Sequence, residues 1–231
     1  MPREQDPLEL RRRLQRARVL LLFTPAACAE RDPFTVLDAV LEQVDIVQVR
    51  PKAAGAATPC AARETYDWTV RVLELVHARK SLEVLVMVDD RVDVAAALRS
   101  AGCCGVHIGT DDMPVALARE YLGPTPLIGS STHSFDDVAA AEDEDCDYIG
   151  FGPLHPTSTK GYTAGLGAEA AWIAHTASSK PVFPIGGIGL ENAHELSRVG
   201  RAAVASAILS APDPARAACE LRAILCAEHA D

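Results

Sequence analysis

Eight short apolar runs, each followed by a segment with helical spacing, divide this 231-residue chain into repeating units. The runs are Val19 to Phe23, Asp45 to Lys52, Val84 to Val88, Gly105 to Gly109, Leu127 to Ser131, Tyr148 to Phe151, Pro181 to Gly187 and Ala202 to Ile208. None is long enough for an ordinary helix, and Gly, Pro and Asp punctuate them, so each reads as a strand. Helical spacing covers 34–44, 61–80, 92–101, 114–122, 134–144, 168–178 and 190–199, with a closing helix over 213–227; Phe34, Leu37, Val40, Leu41 and Val44 show the pattern. Strands separated by helices pair in parallel, and eight such units close into a (β/α)8 barrel. Ahead of the first strand, residues 7–17 read as an amphipathic helix with Leu8, Leu10 and Leu14 on its apolar side and its arginines as a solvated face. The expectation is one α/β domain over 1–231, a TIM barrel at 18–231 with a helical extension at 1–17.

Apolar content of 48% supports a sizeable core, and a net charge of −10 argues against a nucleic-acid partner, which needs a basic face. The seven cysteines are an odd number without Cys-x-x-Cys spacing and read as reduced thiols. Val19 to Phe23 is far short of a bilayer span, so no membrane partner is expected. Arg11, Arg12 and Arg13 are preceded by Glu4, Asp6 and Glu9, which fits neither a signal nor a transit peptide. The chain reads as cytoplasmic. An Ala/Gly-rich stretch at 53–60 is expected to be a mobile loop.

In such barrels the site is built from residues just past each strand, and here the unusual polar residues fall there repeatedly. Gln48, Arg50 and Lys52 share one face of the second strand, by the two-residue period of a strand. Asp89 and Asp90 follow strand three, Asp111 and Asp112 strand four, and Ser131, Thr132 and His133 strand five. Neighbouring strands allow one carboxylate of each acidic pair to reach a common cation; Mg²⁺, which takes one or two carboxylates plus water and phosphate oxygens, suits Asp90 and Asp112. Asp89 and Asp111 are then left for local or substrate contacts. After strand six, Thr157, Ser158, Thr159, Lys160 and Gly161 supply hydroxyls, a cation and an accessible backbone suited to a phosphate. Gly186-Gly187 and Ala205-Ser206 occupy the usual barrel phosphate position, so a cavity for two phosphorylated molecules is expected.

With these residues placed, the chain resembles thiamine phosphate synthase over about residues 45–215. The matching motifs are Val-Gln-Val-Arg-Pro-Lys at 47–52, Val-Asp-Asp-Arg-Val-Asp at 88–93, Gly-Val-His-Ile-Gly-Thr-Asp-Asp-Met-Pro at 105–114, Ser-Thr-His-Ser at 131–134, Gly-Pro-Leu-His-Pro-Thr-Ser-Thr-Lys at 152–160 and Ile-Gly-Gly-Ile at 185–188. The resemblance implies joining of hydroxymethylpyrimidine diphosphate to a thiazole phosphate. It places the diphosphate on Gln48, Arg50, Lys52 and Lys160, and magnesium on Asp90 and Asp112. It gives the thiazole phosphate to Thr157, Thr159, Gly187 and Ser206, beside Ala205, and sets Ser131 near the pyrimidine and the departing pyrophosphate. The displacement it implies is dissociative and carbocation-like, with no protein nucleophile.

Three positions depart from the family pattern. Asp89 stands where the family usually has Asn, Thr110 where it has Gln, and Pro51 where an acid separates Arg50 from Lys52. The extra charge at Asp89 is expected either to disfavour diphosphate or to recruit more Mg²⁺. Three other readings stay open: a thiazole tautomerase using His133, a binding-only paralogue, and a zinc hydrolase built on His107, His133 and His155. Association into a homo-oligomer is possible for such barrels, but no interface is legible.

Overall fold

The computed structural model of the chain describes residues 6–52, 60–156 and 165–227. Eight parallel strands run β1 (Val19–Phe23), β2 (Ile46–Val49), β3 (Leu85–Asp89), β4 (Gly105–Ile108), β5 (Leu127–Thr132), β6 (Tyr148–Phe151), β7 (Val182–Pro184) and β8 (Ala202–Val204). They neighbour one another in the order β7-β6-β5-β4-β3-β2-β1-β8, and a parallel bridge from Ile185 to Ala203 closes the ring. Helix α1 (Pro7–Arg16) precedes β1; α2 (Pro33–Val40), α3 (Ala62–Ala78), α4 (Val92–Ala97), α5 (Val115–Leu122), α6 (Phe135–Glu142) and α7 (Ala168–Ala177) lie between successive strands up to β7; α8 (Ser206–Leu209) and α9 (Pro214–Cys226) follow β8. The expected (β/α)8 barrel with an extra N-terminal helix is the observed fold. Three helices begin with an Asp-Pro pair, Asp6-Pro7, Asp32-Pro33 and Asp213-Pro214, in which the carboxylate accepts from a first-turn N–H and proline occupies a position needing no donor.

Alternation along the strands divides the core in two. Outward residues such as Leu21, Val47, Val86, Val106 and Ile149 pack under the helices. Inward residues Leu20, Ile46, Leu85, Met87, Leu127 and Phe183 fill the barrel, and Leu10, Leu14 and Ala17 join them from α1 and its C-terminal end. The N-terminal helix therefore plugs the end of the barrel opposite the strand C-termini. Its arginines are not merely solvated, as the sequence suggested: Arg11 pairs with Asp147 at 2.9 Å, and Arg13 donates to the Glu83 carbonyl at 2.6 Å.

Two segments differ from the sequence expectation. Residues 190–199 hold only a short 3₁₀ turn, Ala193–Leu196, in place of a helix. Strand eight stops at Val204, and Ser206 already opens α8. Among the described residues no helix is long and apolar enough to cross a membrane, and all seven cysteines are free.

Candidate active site

The C-terminal ends of the strands open into two adjoining lobes that share Arg50, His107, Ser131 and His133 in their walls. The smaller, about 280 Å³, is the polar one, lined by Gln48, Arg50, Lys52, Asp89, Asp90 and Asp112 among others. Thr110 and Asp111 lie at its rim and are exposed. The larger, about 600 Å³, runs past Gly186 and Gly187 to Ala205 and Ser206.

Gln48, Arg50 and Lys52 are all buried and reach the polar lobe together, as their two-residue spacing requires. Gln48 Nε2 donates to Asp89 Oδ1, Arg50 Nε lies 3.4 Å from Asp89 Oδ2, and Lys52 Nζ lies 3.8 Å from the same oxygen while pairing closely with Asp90. Adjacent strand residues normally face opposite sides, yet Asp89 and Asp90 line one lobe. The left-handed backbone at Asp90, φ 59°, makes this possible just after its N–H has donated to the His107 carbonyl, and aspartate tolerates that conformation. Burial pushes the Asp89 carboxyl up to about 6, the Asp90 charge adding to the shift and Arg50, Lys52 and Gln48 opposing it.

Asp112 comes to the same lobe from the loop after β4, where its Oδ2 accepts from Gly109 N at 2.8 Å. Its carboxyl is raised above the usual range, first by burial, against the Gly109 bond, and further by the nearby Asp90 carboxylate. Two hard carboxylates pressed together, Asp90 and Asp112, with Lys52 paired to Asp90 beside them, fit a divalent cation. Among the described residues no group of three His, Cys, Asp or Glu side chains is arranged to hold a metal ion. A cation here would rest on two carboxylates and complete its shell with water and phosphate oxygens, a pattern that suits Mg²⁺.

The larger lobe owes its shape to a tight turn. Gly186 and Gly187 have φ of 99° and 63°, and a Cβ on Gly187 would lie 2.7 Å from His155 Cβ. Asn192, which the sequence reading passed over, braces the turn: Nδ2 donates to the Gly187 carbonyl at 2.8 Å, and Oδ1 accepts from Gly189 N at 2.9 Å. An Asn shortly after a Gly-rich strand end is the signal that would have found it.

The three histidines do not converge. His107 sits inside the barrel, contacting Tyr148 Oη at 3.1 Å and Ser131 Oγ at 3.0 Å, while His133 Nδ1 donates to the Gly152 carbonyl at 2.6 Å. His155 lies 3.8 Å from Glu195. Sequence reasoning missed the Tyr148 partnership because tyrosine in an apolar run reads as strand packing. Thr157, Ser158, Thr159, Lys160 and Gly161, and most of the 53–60 stretch, lie outside the described residues.

The family profile described as thiamine monophosphate synthase matches residues 19–208. A thiamine-phosphate synthase of Acidothermus cellulolyticus is 40% identical over 197 residues, covering 83% of this chain and 87% of that protein. One from Parasynechococcus marenigrum is 43% identical over 135 residues, covering 58% of this chain and 38% of that longer protein. Among solved structures, a thiamine phosphate pyrophosphorylase of Pyrococcus furiosus superposes with a TM-score of 0.75 at 30% identity, covering 94% of this chain and 97% of that one. With a profile spanning the whole barrel and relatives matched along most of its length, the chain belongs to the thiamine monophosphate synthase family.

Proposed function

We propose that this chain performs the reaction its family is named for, joining hydroxymethylpyrimidine diphosphate to a thiazole phosphate to give thiamine phosphate and pyrophosphate. The observation that carries the reading is the pairing of two lobes in one cavity, a cation-and-carboxylate lobe and a glycine-turn lobe, meeting at Ser131. That division matches two phosphorylated substrates of different charge. The rival tautomerase would not need Arg50, Lys52, Asp90 and Asp112 gathered on one side.

In this reading Gln48, Arg50 and Lys52 hold the diphosphate, with Lys160 completing the set, and Asp89 borders the pyrimidine. Gly187, Ala205 and Ser206 receive the thiazole phosphate with Thr157 and Thr159. Asp90 and Asp112 hold Mg²⁺, which when bound neutralises charge on the diphosphate. The bond from the pyrimidine methylene carbon to the diphosphate oxygen breaks, its electrons leaving with pyrophosphate. The thiazole nitrogen lone pair then forms the new carbon–nitrogen bond. The protein supplies orientation and fixed positive charge where charge develops, and no covalent intermediate. The reading takes 1–231 as one domain acting in the cytoplasm.

Steady-state kinetics with both substrates varied test the assignment of the lobes. Arg50→Ala is expected to raise KM for the diphosphate at least about tenfold, with KM for the thiazole phosphate near the wild-type value. The opposite split, or equal changes in both, would overturn it.

A further inference from the structure

Tyr148, His107 and Ser131 form a line of polar side chains from the barrel interior to the junction of the two lobes. The sequence omits side chains at two positions to admit it. A Cβ at Gly129 would lie 2.2 Å from Tyr148 Cζ and 2.5 Å from His107 Nδ1, and one at Gly150 would lie 3.3 Å from His107 Cε1. β5 otherwise carries Leu127, Ile128, Ser130, Ser131 and Thr132, and β6 carries Tyr148, Ile149 and Phe151, so the two glycines, each where a Cβ would crowd this line, mark a built arrangement rather than loose packing.

The direction of each hydrogen bond follows from the phenol. Tyr148 is fully buried, and burial holds its hydroxyl protonated. A sealed O–H needs an acceptor, and the group facing Oη is His107 Nδ1. The Nδ1 lone pair therefore accepts, so the imidazole is neutral and its proton sits on Nε2. An imidazolium would set two donors against each other at Oη. Nε2–H then donates to Ser131 Oγ.

We propose that Tyr148 and His107 are positioning residues that fix the direction of the Ser131 hydroxyl. With its oxygen already accepting from His107, Ser131 turns its own O–H into the cavity as a donor. A phosphate oxygen held at the junction of the lobes receives that hydrogen bond, and under the synthase reading, on which this identification rests, it belongs to the departing pyrophosphate. If the His107 tautomer were reversed, Ser131 would donate inward and offer the anion only a lone pair.

Two measurements test this. Nitrogen-15 NMR of histidine side chains in the intact protein is expected to show His107 protonated at Nε2; a spectrum showing the Nδ1–H form would overturn the proposal without any assay of turnover. In kinetics, Tyr148→Phe, which removes one oxygen, is expected to lower kcat about five- to tenfold with both KM values little changed. In a Ser131→Ala background the same substitution is expected to change kcat less than twofold, since the hydroxyl it directs is gone. An equal loss in both backgrounds would make Tyr148 a packing residue and sink the idea. Failure of the wild type to make any product would count against the synthase reading alone, and the tautomer spectrum would still decide the positioning device.

Discussion

Arg50 and Asp89 face one another in the mouth of the barrel, guanidinium Nε 3.4 Å from carboxylate Oδ2, both buried. Arg50 Nη1 and Asp89 Oδ2 are left without hydrogen-bond partners. The carboxylate thus engages two cations, Arg50 and Lys52, that the proposed function assigns to a diphosphate. Asp89→Asn keeps the shape and removes the competing charge. It is expected to lower KM for the diphosphate about three- to tenfold and to reduce the Mg²⁺ concentration needed for half-maximal rate. A rise in KM on this substitution would show instead that Asp89 helps gather the cation.

Why some of this was legible and some not can be seen at particular residues. β1 and β6 lie where their apolar runs end, because a buried parallel strand needs apolar residues on both faces and Gly or Thr halts the run. The segment 190–199 misled because Leu190, Ala193, Leu196 and Val199 recur every third residue, which suits a 3₁₀ turn as well as an α-helix. Asn192 decides the matter by bonding backward to the glycine turn. The approach of Asp90 to Asp89 was not legible, since it depends on a positive φ that no residue type announces as glycine does. The His107 and Tyr148 pairing joins residues 41 apart and is visible only once the barrel closes.

Asn192→Ala should loosen the Gly187 to Gly189 turn by removing both of its side-chain bonds. KM for the thiazole phosphate is expected to rise about tenfold, with KM for the diphosphate unchanged. Equal increases in both would mean that the turn supports the whole mouth.

The N-terminal helix carries a stability prediction. Leu14 is 1% exposed and packs into the barrel interior with Leu20, Ile46 and Leu85. Leu14→Ala opens a void there and should lower unfolding stability by about 2–5 kcal/mol, measured by denaturant titration, with kcat preserved at a temperature where the protein stays folded. A loss below about 1 kcal/mol would show that the helix is dispensable to the core.

At the other end of the molecule from the proposed chemistry, His175 is held below its ordinary value of 6.5 by burial and then by Arg201 and Arg18. The folded state thus prefers the neutral ring, so its contribution to stability is present above the unfolded pKa and lost as pH falls through the lower folded pKa. Thermal melts at pH 7 and pH 5 should show a smaller drop in Tm for His175→Gln than for the wild type. Equal drops would remove His175 from the account.

The most direct test of the account is to mix purified protein with hydroxymethylpyrimidine diphosphate, thiazole phosphate and Mg²⁺ and to follow thiamine phosphate by mass, with Asp112→Ala and Lys160→Ala alongside. The account predicts product from the wild type and its loss in both variants. No product from the wild type at any Mg²⁺ concentration, or undiminished product from both variants, would contradict it.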